Sequence, residues 1–433
     1  MTYLEALAYI ESLHPPTIRL GLERIERLCA LAGHPERKFP AVLVGGTNGK
    51  GSTAAFLAAA LRAAGLRVGM APKPHLYTPC ERLQVGEEIV SEADFAVLVT
   101  QAQPLVEQVA AHPAAHCPTY FEVMTFLAFL WFARTGLDWA VVEVGLGGRF
   151  DATNILDAGL CIITDVGLDH TDRLGETIPE IAFEKAGIIK RQGRLITGAT
   201  GEALEVVERV AAERSAALWR LGREIRLERV AVTVDGGRFD VRCPAGTISG
   251  LEIGMLGEHQ IRNAALATAA ALWLREQEPA LTEEAIRRGV AAARLPGRLQ
   301  FLRRLPDLVI DAAHNGDKAR ALARTLRNLL LPAVPERRLI LILGVTRAHA
   351  VGPVVDALVP LASRVIATTN AHPQALSPEE LASIVRERSV PVTTAHNTRD
   401  AVAEALATAG PQDLICVTGS FYTLAGLPPD GSC

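Results

Sequence analysis

A glycine-rich segment between an apolar run and an alanine-rich run is the feature that most constrains how this chain can fold. The segment is Gly-Thr-Asn-Gly-Lys-Gly-Ser at 46–52, the apolar run occupies 41–44, and a helical pattern follows at 53–64. Strand, glycine-rich turn and helix in this order typically bind phosphate, because the turn's N–H groups point inward and the helix N-terminus adds partial positive charge. The pattern therefore predicts a nucleoside triphosphate site.

Within this loop, Lys50 is placed to reach the β- and γ-phosphates, and the hydroxyl of Ser52 or of Thr53, the next residue, could be a ligand of Mg²⁺. The spacing departs from the standard phosphate-loop motif, because Val44 stands where the first glycine would be and Gly51 separates Lys50 from Ser52. The competing interpretation is a glycine-rich turn that binds no ligand. The predicted ATP-binding residues of the loop are Gly46, Thr47, Asn48, Gly49, Lys50, Gly51 and Ser52.

Composition and charge limit the classes of protein to which the chain can belong. Its 433 residues predict two or three domains, and 49% hydrophobic residues suffice for packed cores. A formal net charge of −4, without a basic stripe, argues against a nucleic-acid partner. The first residues lack a signal-peptide pattern, and the most apolar window, 123–133, is too short to cross a bilayer, so no membrane partner is expected.

The seven cysteines lie at positions 29, 80, 117, 161, 243, 416 and 433, without the paired spacing of a zinc site. Scattered cysteines of this kind are typical of reduced thiols, and they do not indicate a disulfide framework. The sequence therefore predicts a cytoplasmic location.

Two series of apolar runs predict two α/β domains. Nearly continuous apolar runs at 139–144 and 160–166, with a weaker one at 195–197, are typical of central parallel strands that helices cover on both faces. Between 230 and 256 the pattern changes to short alternating strands with glycine turns, which predicts a small antiparallel addition. A helical pattern that contains Asn263 follows it.

The second series begins after Leu-Pro-Gly-Arg at 295–298, which marks the predicted domain boundary. Strands are predicted at 308–311, 339–343, 364–369, 390–394 and 414–417, with helices such as 317–329 and 378–388 between them. This alternation predicts a second parallel sheet covered by helices. The predicted fold is α/β, with an N-terminal P-loop parallel-sheet ATPase domain at 1–296 and a C-terminal Rossmann-like domain at 297–433. Ligands are expected at the carboxyl ends of the strands and in the cleft between the domains.

Two polar residues follow predicted strands at the same sheet edge as the phosphate loop. Glu143 lies near the end of the run 139–144, and His170 follows the run 160–166. A carboxylate at this edge is placed to hold the Mg²⁺ of MgATP, and an imidazole can join it. The alternatives are a buried ion pair for Glu143 and a capping or packing role for His170.

Two nearby segments fit either substrate binding or a purely structural role. The glycine-rich loop that carries Arg149 and Asp151 could order over a substrate, or it could be a solvated turn. Lys185 lies near the end of a helical pattern that stops at Gly187. Taken alone, it is a cation that the helix dipole favours at that position.

Taken together, the motifs resemble the folylpolyglutamate synthase/dihydrofolate synthase family of the Mur ligase superfamily. The matching segments follow the family's order along nearly the whole chain: 46–52, 121–122, 143–154, 169–170, 184–190, 259–263, 296–298, 311–315 and 418–420. The resemblance implies an ATP-dependent ligase in which a substrate carboxylate forms an acyl phosphate and the amine of L-glutamate then displaces phosphate. The implied acceptor is dihydropteroate, a reduced folate, or both.

The resemblance also implies roles that spacing alone does not give. Ser52, Glu143, His170 and Lys185 would bind one or two Mg²⁺ ions, with Lys185 carbamylated into an anionic ligand. Further implied ATP contacts are Asn263 at adenine, Arg298 at the phosphates and Asp311 at the nucleotide. The implied positions for the pterin or for glutamate are Thr119, Phe121, Arg149, Asp151, His314 and Ser420.

One segment departs from the family pattern. Relatives usually carry Thr-Ser-Pro-His-Leu, whose serine helps to bind the first Mg²⁺, whereas this chain has Pro-Lys-Pro-His-Leu at 72–76. A protonated lysine cannot ligate Mg²⁺, but it can place a positive charge on the γ-phosphate. We therefore predict that Lys73 performs part of the metal's electrostatic task, as a catalytic residue beside Lys50, His170 and Lys185.

Two other functions fit parts of the sequence. The first is a Mur-type ligase that acts on another carboxylate, such as a cell-wall nucleotide peptide, although that group usually carries an additional N-terminal domain before the loop. The second is a P-loop kinase or a nucleotide-driven switch. The polar cluster that the second domain carries at 311–315 argues against a switch. A two-domain ligase of this size is expected to work as a monomer on small-molecule substrates.

Overall fold

The computed structural model describes residues 1–14, 21–112, 116–347 and 350–428, and the chain divides into two compact units. Unit 1 comprises 1–230, 239–252 and 262–293. Unit 2 comprises 231–238, 253–261 and the chain from 294 onward. The last division, between Ala293 and Arg294, lies near the predicted boundary at 296.

An eight-stranded sheet forms the centre of unit 1. Its strands are β1 (Ala41–Gly45), β2 (Val68–Ala71), β3 (Gln84–Val85), β4 (Glu88–Ile89), β5 (Trp139–Glu143), β6 (Leu160–Ile163), β7 (Arg194–Thr197) and β8 (Ala217–Arg220). The spatial order is β4-β3-β2-β5-β1-β6-β7-β8. Six neighbouring strands pair in parallel, in the order β2-β5-β1-β6-β7-β8. Strands β3 and β4 form an antiparallel edge next to β2. Every residue of β1 and β5 is buried, as nearly continuous apolar runs in the middle of a covered sheet require.

Helices cover this sheet, and their ends carry recognisable capping residues. The helices up to residue 292 are α1 (Tyr3–Ser12), α2 (Glu23–Leu31), α3 (Lys50–Ala63), α4 (Glu92–Ala110), α5 (Tyr120–Thr135), α6 (Thr171–Leu174), α7 (Ile178–Ala186), α8 (Gly201–Glu213), α9 (Glu258–Leu274) and α10 (Glu283–Ala292). Helix α5 contains the apolar window 123–133 and begins with a capping box between Thr119 and Glu122. Helix α7 begins with a second box, between Thr177 and Glu180.

The glycine-rich stretch after β8 forms a separate three-stranded sheet. Its strands β9 (Arg226–Thr233), β10 (Gly236–Cys243) and β11 (Gly246–Ile253) lie in the order β11-β10-β9. The connections between them are two residues long, and connections this short can join only antiparallel strands. The small antiparallel addition that the alternating pattern predicted is therefore present.

A six-stranded sheet forms the centre of unit 2. Its strands are β12 (Gln300–Arg303), β13 (Asp307–Ile310), β14 (Leu339–Leu343), β15 (Arg364–Thr368), β16 (Val392–Ala395) and β17 (Leu414–Thr418), in the order β12-β13-β17-β14-β15-β16. Its helices are α11 (Gly316–Thr325), α12 (Val351–Leu358), α13 (Pro378–Arg386), α14 (Thr398–Thr408) and α15 (Phe421–Leu424). A separate apolar core packs on this sheet.

The structure differs from the sequence-based expectation mainly at sheet edges and element ends. Strand β12 is antiparallel to β13, so the second sheet is not purely parallel as predicted. The sequence analysis did not identify β2, β3, β4, β8 or β12, because short strands carry too few residues to show a period. The run 160–166 ends as a strand at Ile163, since Asp165 turns toward the phosphate loop.

The described residues contain no helix long and apolar enough to cross a membrane. Six of the seven cysteines are free thiols: Cys29, Cys80, Cys117, Cys161, Cys243 and Cys416. Cys433 lies outside the described residues.

Candidate active site

The phosphate loop follows β1 directly, and its glycines adopt conformations that other residues would strain. Gly46 has φ +135° and Gly49 has φ +79°, both in the left-handed half of the map. A Cβ on Gly46 would collide with Thr164 Oγ1, and one on Gly49 would collide with Asn263 Oδ1. The loop backbone is therefore closely packed, and the predicted adenine contact Asn263 lies against it.

Lys50 and Lys185, which the sequence analysis predicted as site residues, converge on one carbonyl group. Lys50 Nζ donates to Gly46 O at 3.1 Å and to Thr47 O at 3.2 Å, and Lys185 Nζ donates to Gly46 O at 3.0 Å. Lys185 is buried, with 4% of its surface exposed. Burial, with the Lys50 charge second, lowers the pKa of Lys185 to about 7, against a partial opposing effect of nearby carboxylates. A neutral amine is therefore accessible at Lys185 near neutral pH.

Asp165 is a site residue that the sequence analysis missed. Its Oδ1 accepts hydrogen bonds from Thr47 N at 3.1 Å and Asn48 N at 2.6 Å, and its Oδ2 accepts one from Asn48 Nδ2 at 3.3 Å. Desolvation raises the pKa of Asp165, although the hydrogen bonds from Asn48 and the charges of Lys50 and Lys185 oppose the rise. Its carboxylate therefore fixes the shape of the loop. The available signal was a carboxylate directly after a strand next to β1.

Glu143 ends β5 on the other side of the loop. In the sheet it lies opposite Val44 of β1, while Val44 also pairs with Ile162 of β6, so the ends of β5 and β6 flank the loop. Glu143 is 4% exposed, and its Oε2 accepts a hydrogen bond from Lys73 N at 2.9 Å. The predicted edge position of Glu143 is therefore present, and it is joined to the segment that carries Lys73.

Lys73 presents a buried ammonium group at this edge. Its Nζ has no hydrogen-bond partner among the described residues and lies 4.2 Å from the centroid of the Phe121 ring. Burial lowers the pKa of Lys73 to about 8, while the carboxylates of Asp151 and Glu143 favour the charged form. A buried ammonium group that has a ring face and nearby carboxylates, but no hydrogen-bond acceptor among the described residues, is placed to bind an anionic group.

His170 is less enclosed than the other predicted metal ligands. It precedes α6 with φ +51°, its side chain is 41% exposed, and Nε2 lies 4.0 Å from Asp169 Oδ1. In the described ranges, no three or more His, Cys, Asp or Glu side chains are grouped so that they could hold a metal ion. The oxygen donors present nevertheless suit Mg²⁺. Glu143 flanks the loop, the buried Ser52 hydroxyl ends it, and the buried Asn48 Oδ1 has no hydrogen-bond partner in the part of the chain that the structure describes.

The loop between Gly145 and Asn154 is organised by the Asp151 carboxylate. Its Oδ2 accepts hydrogen bonds from the Gly145 and Leu146 N–H groups at 3.0 and 2.9 Å. Its Oδ1 accepts from Thr153 N at 3.0 Å and Thr153 Oγ1 at 2.6 Å. Asp151 is therefore already engaged by four donors, and the interpretation of this loop as a solvated turn is wrong.

Arg149 connects this loop to helix α7. Its Nη2 lies 3.1 Å from Glu184 Oε1, and its backbone N–H donates to Glu184 O at 2.9 Å. A Cβ on Gly148 would lie 2.8 Å from Glu184 O and from Lys185 O, so only glycine permits this approach. The contacts with Arg149 hold Glu184 in place. They thereby help to keep the neighbouring Lys185 at the phosphate loop.

Thr119 and Phe121 lie at the start of α5. Thr119 is the N-cap, and its hydroxyl donates to Glu122 Oε2 at 2.8 Å. Glu122 also forms a buried ion pair with Arg24, whose Nε lies 2.9 Å from Oε1. Phe121 presents its ring to Lys73. Sequence analysis missed the Arg24–Glu122 pair, because its members are far apart in the chain.

Three predicted site residues of unit 2, Asp311, His314 and Ser420, follow β13 and β17, which pair in parallel, and the fourth, Arg298, precedes β12. Asp311 accepts hydrogen bonds from the N–H groups of Leu299 and Ala313, both at 2.9 Å. Desolvation raises the pKa of Asp311, and the Arg298 charge opposes the rise. The Arg298 guanidinium lies 4.9 Å from the centroid of the Phe421 ring. Asp311 thus connects its own segment, 311–315, to the turn that carries Arg298.

His314 and Ser420 complete this edge. The His314 ring centroid lies 5.9 Å from that of Phe421, which follows Ser420. Ser420 is buried and caps α15 by accepting a hydrogen bond from Tyr422 N at 3.2 Å. The structure therefore brings together Arg298, Asp311, His314 and Ser420 within unit 2.

Two known protein-family domains match this chain. The Mur ligase middle domain matches residues 44–271, and the Mur ligase glutamate ligase domain matches residues 297–421. A relative from Mycobacterium tuberculosis, named dihydrofolate synthase/folylpolyglutamate synthase, is 36% identical over 95% of this chain and 88% of its own. One of the same name from Bacillus subtilis is 38% identical over 75% of this chain and 76% of its own.

Solved structures agree with these matches. The Mycobacterium tuberculosis folylpolyglutamate synthase complexed with ADP and AMPPCP has a TM-score of 0.89 at 35% identity, over 98% of both chains. The structure described as Escherichia coli FolC in complex with DHPP and ADP has a TM-score of 0.84 at 32% identity, over 98% of this chain and 96% of its own.

Proposed function

The chain belongs to the Mur ligase family, and on that premise we propose that it is an ATP-dependent ligase that joins L-glutamate to a pterin-containing carboxylic acid. The acceptor is dihydropteroate, the γ-carboxylate of a reduced folate, or both, and the by-products are ADP and phosphate. The observation that carries the proposal is the convergence of Lys50 and Lys185 on Gly46 O in a phosphate loop. The relatives' names and the nucleotide-bound solved structures support it.

In the first step, an oxygen of the acceptor carboxylate attacks the γ-phosphorus of ATP. The bond to the bridging oxygen breaks, ADP leaves, and an acyl phosphate forms. The loop backbone at 46–52 and the N-terminus of α3 would hold the phosphates, and the Lys50 ammonium would turn from the loop carbonyls to the phosphate oxygens. Asn263 would contact adenine, with Arg298 and Asp311 as further nucleotide contacts.

In the second step, the amine of L-glutamate attacks the acyl carbon. The bond from that carbon to the phosphate oxygen breaks, phosphate leaves, and the amine loses its proton to solvent. The acyl phosphate makes this attack possible, because phosphate is a far better leaving group than the oxygen of a free carboxylate. His314 and Ser420 would contact glutamate, while Thr119, Phe121, Arg149 and Asp151 would lie at the acceptor.

Mg²⁺ bound with ATP would supply positive charge to the phosphate oxygens. We propose Ser52, Glu143, His170 and a carbamylated Lys185 as the residues that hold one or two ions. Carbamylation requires a neutral amine, which attacks CO₂ and loses a proton, and the lowered pKa of Lys185 favours that form. Lys73 would add its own positive charge where relatives of the family carry a serine.

We also propose that the protein acts in the cytoplasm as a monomer, on small-molecule substrates and without a nucleic-acid partner. The scattered cysteines support the cytoplasmic location, and the formal net charge of −4 supports the expectation that nucleic acid is not a partner.

The test is the release of ADP from MgATP and L-glutamate with dihydropteroate or tetrahydrofolate as the acceptor. We expect release that requires both L-glutamate and an acceptor, and its loss in Lys50→Ala. Turnover with both acceptors would establish two activities, and turnover with one would name the activity present. ADP release that needs neither acceptor nor amino acid would contradict the proposal and favour a nucleotide-driven switch. Turnover only with a cell-wall nucleotide peptide would indicate the other kind of Mur ligase.

A further inference from the structure

The His314 ring of unit 2 has both nitrogens engaged, and one partner is a lysine that the proposed function does not use. Nδ1 lies 2.9 Å from Ala312 O, and Nε2 lies 2.9 Å from Lys318 Nζ. A lysine ammonium group can only donate hydrogen bonds, so Nε2 is the acceptor and carries no proton. The proton of the neutral ring therefore resides on Nδ1, which donates it to Ala312 O.

This assignment places the positive charge of the pair on Lys318. In this arrangement His314 is a neutral ring whose orientation is fixed from both sides, by the backbone after β13 and by the lysine. Lys318 is half-buried in the first turn of α11, where the helix N-terminus adds partial positive charge. The pair therefore presents a cation of fixed position beside an imidazole.

The surroundings of the pair strengthen its affinity for an anion. Arg298 and His314 both lie against the Phe421 ring, with distances of 4.9 Å and 5.9 Å to its centroid. The carboxylate of this cluster, Asp311, already accepts two backbone hydrogen bonds, and the charges of Arg298 and Lys318 stabilise its ionised form. Among the described residues, two cations, Arg298 and Lys318, thus act on the same carboxylate, which is held in place by backbone hydrogen bonds.

We propose that Lys318, positioned by His314, is the cation that selects an acidic amino acid by pairing with the side-chain carboxylate of L-glutamate. This inference rests on the proposed function, in which His314 and Ser420 contact glutamate and Arg298 contacts the ATP phosphates. An α-carboxylate is common to all amino acids, so recognition of glutamate requires a further positive group at the far end of the side chain. Lys318 supplies that charge, with its Nζ 2.9 Å from His314 Nε2.

The test compares Lys318→Met, which removes the charge at similar length, with Lys318→Arg, which keeps it. Arg320→Met is the matched control, because Arg320 is exposed on the same helix and pairs with Asp317. For each protein, kcat and KM are measured for L-glutamate and for L-glutamine, its neutral isostere, and KM is measured for MgATP. Thermal unfolding establishes that each variant is folded.

We expect Lys318→Met to raise the KM for L-glutamate by roughly 10- to 100-fold, as for the loss of one charge-assisted hydrogen bond, with kcat changed by less than about 3-fold. The preference for glutamate over glutamine should fall by at least about 10-fold, the KM for MgATP should not change, and Lys318→Arg should retain most of the preference. An unchanged preference in a folded Lys318→Met variant, with wild-type turnover intact, would overturn this inference alone. Absence of glutamate-dependent turnover in the wild type would overturn the proposed function and this inference together.

Discussion

The Lys73 ammonium lies against the Phe121 ring, at a position where the family resemblance implies a neutral serine. Its backbone N–H donates to Glu143, so the segment that carries this lysine is attached to the predicted metal edge. If Lys73 supplies positive charge to the γ-phosphate, the reaction should depend less steeply on Mg²⁺ than it would with serine at this position.

We therefore expect Lys73→Ser to lower kcat/KM for MgATP by roughly 10- to 100-fold and to raise the Mg²⁺ concentration needed for half-maximal rate. The measurement is a Mg²⁺ titration of acceptor-dependent ADP release. Lys38→Ser, at an exposed lysine, is the control. Unchanged activity together with unchanged metal dependence would show that Lys73 has no electrostatic role in the reaction.

Lys73 should also make stability depend on pH. Its pKa is about 8 in the folded chain against an ordinary value of 10.5, so between these values the unfolded chain binds more protons and stability rises with pH. Below about pH 8 both states hold the proton, and the destabilisation from the buried charge is fully present. We expect Lys73→Met to be more stable than the wild type at pH 7, by about 1–3 kcal/mol, and the difference to shrink as the pH approaches 10.

Urea unfolding of both proteins at neutral and alkaline pH measures this difference. A gap between the two proteins that stays constant with pH would contradict the assignment of a lowered pKa to Lys73.

Among the elements, the phosphate loop and α3 depend on glycine for two separable reasons. Gly49 and Gly65 stand at the start and just beyond the end of α3, with φ +79° and +85°. A Cβ at Gly49 would collide with Asn263, whereas nothing lies within 4 Å of one at Gly65. Replacement by alanine therefore strains both backbones similarly but disturbs the predicted nucleotide contact at only one of them.

We expect Gly49→Ala to weaken MgATP binding at least about 10-fold, because the loop must move away from Asn263. Gly65→Ala should lower stability by about 1 kcal/mol and leave nucleotide affinity unchanged. Calorimetric titration with the non-hydrolysable analogue AMPPCP measures the affinities, and chemical unfolding measures the stabilities. Equal affinities in the two variants would contradict the account of the loop.

The elements that could be predicted from the sequence are the long and strongly apolar ones. Strand β5 and helix α5 carry enough apolar residues to show their type, and the glycine turns after β8 indicated short antiparallel strands. The edge strand β12 could not be predicted, because its four residues show no clear period and its position depends on pairing with β13.

The site residues also divide into those that the sequence could predict and those that it could not. Glu143 could be placed because a carboxylate at the end of a buried strand must reach the sheet edge that holds the loop. Asp165 and Lys318 could not, since their roles follow from contacts with Thr47, Asn48 and His314 that spacing does not encode. The resemblance supplied the position of Lys185, and only the structure adds its hydrogen bond to Gly46 O.

On the scale of the whole molecule, one polypeptide carries both the middle and the glutamate ligase domains of its family. A second copy is then not needed to supply either domain. We expect light scattering at assay concentrations to give the mass of a single chain, 46.3 kDa, with and without MgATP. A dimeric mass in the presence of all substrates would contradict the proposed monomer.

The central claim is that the chain forms an amide between an acceptor carboxylate and L-glutamate through an acyl phosphate. The measurement that tests it most directly uses an acceptor whose carboxylate oxygens are isotopically labelled, with MgATP and L-glutamate, followed by mass analysis of the acceptor and the phosphate. The account predicts an acceptor longer by one glutamyl residue, ADP in equal amount, and one labelled oxygen in each phosphate released. Phosphate without label, or ADP formed while the acceptor stays unchanged, would contradict it.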